Sequence, residues 1–354
     1  MPRHKINLIN IEGMIIMKVL VTGGAGYIGS TVCSALEDNG HTPIILDSLV
    51  RGKEEFTKER IFYKGDIADK SLLERIFEEN PEIQFTIHLA ALVVVPESVE
   101  KPYEYYHENV TKSIEMFKNL NNLGCKNIVF SSSGSIYDDV EGFMVSENSH
   151  LSPRSPYART KYMMEMVLED FCEAYGMRGI SLRYFNLIGA DPKLRSGAHI
   201  KNPSHVLGTL LKAASEEGSV FKITGTNWPT RDGSAIKDYI HVWDLALAHV
   251  KAIENFDRAF NFAGSQKASY LVINLGTGTG VTVKELVASF ENVIGKPINK
   301  ENAEPRLGDV PGAFANVSRA KDLIKWEARY SLEDGIRDAL KWDEIRENII
   351  NFNL

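Results

Sequence analysis

The chain has 354 residues, 44% of them hydrophobic, with 40 basic and 47 acidic side chains and a net charge of −7. So large an apolar share builds a sizeable core and excludes a largely disordered chain, and the length gives room for about two domains. The acidic balance argues against broad nucleic-acid binding, while leaving room for a local basic site on an anionic ligand.

The three cysteines, Cys33, Cys125 and Cys172, are too few and too scattered for a disulfide framework or a metal cluster. They read as buried thiols in a reducing cytoplasm, and no metal site is expected. No stretch reaches the roughly 20 apolar residues that span a bilayer, so no membrane partner is expected. Residues 1–16 read as an extension ahead of the first strand. They do not read as a signal peptide, because polar residues interrupt their apolar part and no small-residue cleavage site follows.

Lys18-Val19-Leu20-Val21-Thr22 reads as a short buried strand. Gly23-Gly24-Ala25-Gly26-Tyr27-Ile28-Gly29 follows at once, and a helix runs from near Tyr27 to Asn39-Gly40, where Gly40 stops it. Glycines 23, 26 and 29 give the pattern G-x-x-G-x-x-G. A backbone without Cβ can turn tightly, admit a pyrophosphate and pack the helix on the strand. The free N–H groups and the positive end of the helix then hold the phosphates. A second strand at 42–46 ends in Asp47, 18 residues beyond Gly29. A carboxylate there takes the ribose hydroxyls of an adenosine half and repels a 2′-phosphate, which favours NAD over NADP.

The alternation continues with a strand at 60–64, Gly65-Asp66-Ile67, a helix at 71–79, a strand at 85–89, a helix over 103–123 and a strand at 127–131. This order predicts an α/β fold with a doubly wound parallel sheet. The long segments 136–155 and 190–202 read as loops that carry substrate contacts.

The strand at 127–131 ends in Ser131-Ser132-Ser133, and Ser155-Pro156-Tyr157-Ala158-Arg159-Thr160-Lys161 comes later. Pro156 suits the first turn of a helix. Tyr157 and Lys161 are four apart and share one helix face. A free tyrosine, with a pKa near ~10, is a poor base at neutral pH. An ammonium one turn away favours the phenolate, as does a positively charged nicotinamide. Tyr157 can then exchange a proton with a sugar hydroxyl while the nicotinamide takes hydride from the same carbon.

Together, T-G-G-A-G-Y-I-G-S, the serine run and Y-x-x-x-K resemble the extended short-chain dehydrogenase/reductases. The UDP-glucose 4-epimerase family is the member most resembled. Further matching segments are Glu97-Ser98 with Lys101-Pro102, Tyr105-Tyr106, Leu182-Arg183-Tyr184-Phe185-Asn186 with Gly189-Ala190, Pro229-Thr230-Arg231-Asp232-Gly233, Asp238-Tyr239-Ile240-His241-Val242 and Asn274-Leu275-Gly276-Thr277-Gly278. The resemblance runs from Met17 to about Trp342. It implies a reaction on a UDP-hexose: carbon 4 is oxidised to a ketone, the keto-sugar turns over, and hydride returns to its other face, with NAD regenerated and retained.

Carried over by position, the resemblance makes Tyr157 the base. Lys161 tunes it and holds the nicotinamide ribose, and Ser133 bonds the sugar hydroxyl. Gly23, Gly26, Tyr27, Ile28 and Gly29 would lie at the pyrophosphate, Asp47 at the adenosine ribose and Asp66-Ile67 at the adenine. Leu89-Ala90-Ala91 would line the cofactor groove, with Asn109 and Phe185 as further contacts. Asn186, His205, Lys237, Arg306, Asp309 and Ala313 would meet the nucleotide-sugar, with Ser135 beside Ser133. The resemblance also implies a homodimer through the helix of Tyr157 and its neighbour.

The chain departs from the family pattern at several points. Val93 stands where the family usually has a lysine near the cofactor, which weakens cofactor retention. Lys237 replaces an arginine and loses the bidentate fork that matches a diphosphate. Ser135 replaces a threonine but keeps a hydroxyl. Thr224 replaces an aromatic residue that stacks on the base. Asp138 replaces a glycine, and the sequence offers no reason for it. Ala313 is small where a tyrosine leaves room only for a hydroxyl at the sugar's carbon 2, so the pocket should admit an N-acetyl group unless Phe314 or a loop fills the space.

Other conspicuous residues have plainer readings. His88 and His241 read as structural. Met163, Met164 and Met166, with Val167 and Phe171, suit either core or a dimer interface. Glu54-Glu55, with Lys53 and Lys58, read as a solvated face. The first lobe is expected over 17–186 and a smaller α/β substrate lobe over 187–354, with segments near 238–252 and 273–276 returning to the main sheet. Three rival functions stand beside the epimerase. A 4,6-dehydratase would need an acid-base pair where Ser132-Ser133-Gly134 stand, a UDP-uronic acid 4-epimerase would want a basic group near the sugar carboxylate, and a silent NAD-sensing protein would tend to lose the tyrosine or lysine.

Overall fold

The computed structural model describes residues 10–11, 14–201, 203, 205–216, 218–262, 268–305 and 310–352. Seven strands form one parallel sheet: β1 (Lys18–Thr22), β2 (Thr42–Asp47), β3 (Ile61–Lys64), β4 (Ile83–His88), β5 (Asn127–Ser131), β6 (Arg178–Tyr184) and β7 (Tyr270–Leu275). Their order is β7-β6-β5-β4-β1-β2-β3, and every neighbouring pair is parallel. The central strands are near-continuous apolar runs, because helices cover both faces.

The helices that matter for the site are α1 (Tyr27–Asp38), α2 (Lys70–Glu79), α3 (Lys112–Asn122), α4 (Pro156–Tyr175), α5 (Val206–Ser215), α6 (Val242–Glu254), α7 (Val283–Ile294) and α8 (Leu332–Ile349). On one face of the sheet Val32 and Leu36 of α1 pack with Leu245 and Ala246 of α6. On the other, Leu73 of α2, Phe117 and Leu120 of α3 and Met164 and Leu168 of α4 form a second core. A third core, away from the main sheet, joins Leu210, Phe221, Tyr239, Leu286, Phe290 and Ile336. It lies under short parallel pairings of Asn186–Ile188 with Tyr239–His241 and of Phe221–Thr224 with Lys300–Ala303.

The helix predicted over 103–123 is not one regular helix. A short helix at Pro102–Tyr106 runs through a π turn at His107–Thr111 into α3. The segment 136–155 is a loop only in part, since Met144–Val145 pairs with Gly312–Ala315 and Tyr137 bridges Leu151. Asp138, which had no explanation in the sequence, pairs with Arg154 at 2.8 Å and His150 at 3.3 Å and ties this segment together. Glu55 is not merely solvated. Its carboxylate accepts the Asn351 N–H at 2.8 Å.

Candidate active site

The strand order reverses between β1 and β4, and ligands of open α/β sheets bind at such a switch point, outside the strands' carboxyl ends. There the glycine turn after β1 meets Leu89-Ala90-Ala91 after β4. Gly23 has φ +72°, and a Cβ on it would stand 2.7 Å from the Ala90 nitrogen. A Cβ on Gly29 would stand 2.0 Å from the Gly23 carbonyl oxygen. Both positions therefore require glycine. Helix α1 starts from Gly26 with no side-chain cap and no acidic residue in its first turn, so its N–H groups and dipole face the turn.

Asp47 closes the far side of this turn. Its carboxylate accepts the Ala25 N–H at 3.0 Å and the Leu49 N–H at 2.8 Å, and each oxygen keeps a second lone pair. Burial raises its pKa, while these two N–H groups pull the other way. A turn open only to backbone, an uncapped helix end and a buried carboxylate at the end of β2 fit the diphosphate and ribose of a dinucleotide such as NAD.

Several predicted cofactor contacts are committed elsewhere. The Tyr27 hydroxyl donates to the Gly189 carbonyl at 2.6 Å, which leaves the backbone of Tyr27 and Ile28 to face the turn. Asp66 pairs with Lys112 at 2.6 Å, and Ile67 beside it is buried. The Asn109 amide bonds both polar groups of Leu92, at 2.8 and 2.9 Å, and the Thr160 hydroxyl at 3.1 Å. It clamps the segment after Ala91 to α4 and has little left to offer a ligand. His205 is half-committed as well: its Nδ1 accepts the Gly208 N–H at 3.1 Å and caps α5. Val93 is 53% exposed.

The groups expected to react converge at the end of β5. Ser155 caps α4 through the Ala158 N–H at 3.1 Å, and Pro156 occupies the first turn, which fixes where Tyr157 leaves the helix. Ser133 stands near enough to Tyr157 to favour its phenolate, but burial raises the Tyr157 pKa on balance. Ser133 also meets the Ser135 hydroxyl at 2.9 Å. Lys161 does not reach the Tyr157 oxygen. Its Nζ donates to the Ser131 carbonyl at 2.7 Å and stands 6.0 Å from the Tyr157 ring centre. Burial pulls the Lys161 pKa down to about 7, against the opposing pull of Glu165. Lys161, one turn along α4 from Tyr157, is thus held by a main-chain carbonyl.

His88 is structural. Its Nδ1 meets Thr22 Oγ1 at 2.7 Å, its Nε2 meets Ser113 Oγ at 2.9 Å, and burial lowers its pKa to about 3. His241 caps α6 through the Trp243 N–H at 3.0 Å and stacks on Tyr330 at 4.3 Å.

Among the residues expected to meet the nucleotide-sugar, Lys237 pairs with Ala313 in a parallel register, and Asn186 pairs with Tyr239. Neighbouring strand residues face opposite sides, so Ala313 shares its face with Lys237 and not with Phe314. The Phe314 ring turns toward Gly280, where a Cβ would stand 2.6 Å from it, and so does not fill the space beside Ala313. Phe185 packs on Gly134 beside the serine turn. Thr224 ends the strand Phe221–Thr224, half-buried. Arg306 and Asp309 lie outside the described residues.

The sequence reading gave no role to the groups beneath the serine turn. Glu165 and Arg183 form an ion pair at 2.6 Å with both side chains 4% exposed, and leaving one partner of such a pair alone costs about 3–5 kcal/mol. Ser132 donates to Glu165, and Ser131 bonds the Tyr184 hydroxyl. One signal was present: Glu165 continues the spacing of Tyr157 and Lys161 at a further four residues.

The chain matches the model of the NAD dependent epimerase/dehydratase family over residues 19–263. It is 38% identical to the UDP-glucose 4-epimerase of Bacillus subtilis (strain 168), covering 94% of this chain and 98% of that protein. The UDP-glucose 4-epimerase of Stenotrophomonas maltophila, solved with NAD and formylated UDP-arabinopyranose, superposes with a TM-score of 0.87 at 33% identity, covering 94% of this chain and 99% of that one. The UDP-Glc/GlcNAc 4-epimerase of Campylobacter jejuni gives 0.78 at 30% identity, with coverage of 93% and 99%. The chain thus belongs to the NAD dependent epimerase/dehydratase family and, within it, to the UDP-glucose 4-epimerases.

Proposed function

We propose that the chain is an NAD-dependent 4-epimerase of UDP-hexoses that interconverts UDP-galactose and UDP-glucose through a 4-keto sugar. The observation that carries the reading is the placing of Ser133, just past the carboxyl end of β5, beside Tyr157 in the first turn of α4, next to a dinucleotide-shaped turn at the switch point. Bound NAD would supply the group that takes hydride from carbon 4 and returns it.

The chain's own residues handle the proton and the orientation. Ser133 holds the 4-hydroxyl oxygen against the Tyr157 oxygen, and Tyr157 as phenolate takes the hydroxyl proton. The same proton goes back once the carbonyl has turned its other face. Lys161, as an ammonium beneath the serine turn, favours the phenolate when protonated. Lys161 is buried against Phe130 beneath the serine turn, and Tyr157 above it is half-buried, which limits the water that reaches the pair. The sugar would lie between the lobe of residues 17–186 and that of residues 187–352, with Asn186, Lys237 and Ala313 on its far side.

Asp47 makes the chain NAD-selective, because two anions in contact are unfavourable and a 2′-phosphate would meet its carboxylate. Nucleotide extracted from the purified protein is expected to be NAD. Recovery of NADP as the main species would overturn the assignment. With Val93 in place of a cation, less than one NAD per chain is expected after purification.

The methionine run divides. Met164 is core, at 1% exposure, whereas Met163 and Met166 are open at 38% and 41%. Val99 and Tyr103, on the short helices that pack against α4, are also exposed. This apolar face supports a homodimer, and Met166→Asp is expected to convert the dimer to monomer in sedimentation. A monomeric parent protein would refute it. The three free, buried thiols fit a reducing cytoplasm, which cell fractionation checks.

A further inference from the structure

Glu165 and Arg183 take no step in the chemistry above, yet they are buried charges directly beneath it. Tyr157, Lys161 and Glu165 lie at successive four-residue steps along α4 and share one face. One Glu165 oxygen accepts the Ser132 hydroxyl and the Arg183 Nε at 2.9 Å, and the other accepts Arg183 Nη2 at 2.6 Å. Arg183 Nη1 donates to the Tyr137 hydroxyl at 2.9 Å, which donates to Asn274 Oδ1 at 2.6 Å. The Tyr137 ring lies parallel to Phe185 at 6.4 Å, and Phe185 packs on Gly134. The serine turn is therefore gripped at Ser131 by Lys161, at Ser132 by Glu165 and at Gly134 by Phe185. An apolar pair of similar volume often stabilises a fold as well as a buried ion pair does, so stability alone is a poor reason for this one.

We propose that Glu165 and Arg183 are positioning residues for the epimerisation: anchored through Tyr137 and Asn274, the pair holds Ser132, and so aims Ser133 at the Tyr157 oxygen. This rests on the epimerase reading above. The Glu165 charge has a second effect, since it favours the protonated form of Lys161 against the pull of burial. The other groups that titrate or carry charge around Lys161 are Tyr157 on its own helix, His88 on β4, and Tyr184 and Arg183 on β6. His88 is held neutral by burial and by Lys161 itself, and burial also holds Tyr184 in its neutral form.

The test compares the purified chain, loaded with NAD, with two variants. Glu165→Gln keeps the shape and removes the charge. Its kcat on UDP-galactose is expected to fall about 10- to 100-fold with KM within about twofold, the pattern of misaligned reacting groups. The alkaline limb of its kcat–pH profile should move about one pH unit lower, because Lys161 loses its proton sooner. Glu165→Leu combined with Arg183→Met removes both charges at once and avoids a lone buried ion. It is expected to melt within a few degrees of the parent and hold as much NAD, while its kcat stays at least about tenfold down. Parental kcat and pH profile in both variants would overturn the inference, and so would losses that merely track melting temperature and NAD content. Absence of epimerisation by the parent chain itself would instead strike the reading on which the inference rests.

Discussion

Tyr157→Phe lowers turnover of UDP-galactose by about 10²–10⁴-fold, the range for removal of a general acid–base group. The ring stays and only the hydroxyl is lost, so the fold and α4 are undisturbed. Ser133 keeps the Ser135 hydroxyl as a partner at 2.9 Å, so the serine turn is not left with an orphaned group. The hydrogen bonds that shape the dinucleotide turn do not use the Tyr157 hydroxyl, and bound NAD is expected to equal that of the parent. Turnover and NAD content measured on the same preparation check this. A variant that keeps NAD and more than half of the parent's turnover would show that Tyr157 is not the base.

Ala313→Tyr removes activity on UDP-GalNAc while sparing UDP-galactose. The parent is expected to accept both, because Ala313 is small and its neighbour Phe314 turns to the opposite side of the strand, against Gly280. A tyrosine on the face shared with Lys237 would occupy the volume that an N-acetyl group needs, and packed sites tolerate such overlap poorly. The expected loss on the N-acetyl sugar is at least about 100-fold, with the plain hexose changed less than about threefold, since one side chain is made to clash with one substituent only. No turnover of UDP-GalNAc by the parent, under conditions where UDP-galactose reacts readily, would defeat this reading.

What was legible in the sequence had a local physical cause. The glycines at 23 and 29 could be read because close backbone approach tolerates no Cβ, and in the structure both positions meet main chain at under 3 Å. The parallel sheet could be read from apolar runs separated by helix signals. Ser155 and Pro156 marked the start of α4, and therefore the face on which Tyr157 lies.

Partners set by tertiary packing could not be read. Helix spacing put Lys161 on the face of Tyr157, but nothing in the spacing pointed to the Ser131 carbonyl that its Nζ bonds. The resemblance put Tyr27 and Asn109 at the cofactor, but nothing in the sequence showed that their polar ends are taken by Gly189, Leu92 and Thr160, residues brought in from elsewhere in the chain. The π turn at His107–Thr111 left no mark in an otherwise regular helical pattern. Asp138 made no sense until Arg154 and His150 stood beside it. The short strands of the smaller lobe were not legible either, because Phe221–Thr224 and Lys300–Ala303 are only four residues long and partly exposed.

The most direct test of the central claim follows the hydrogen on carbon 4. The purified chain, given UDP-galactose deuterated at that carbon in ordinary water, should yield UDP-glucose that retains the deuterium at carbon 4. Retention means that the atom leaves and returns within a closed site, while Tyr157 exchanges only the hydroxyl proton. Failure to form UDP-glucose, or product whose carbon 4 carries hydrogen from the solvent, would contradict the claim.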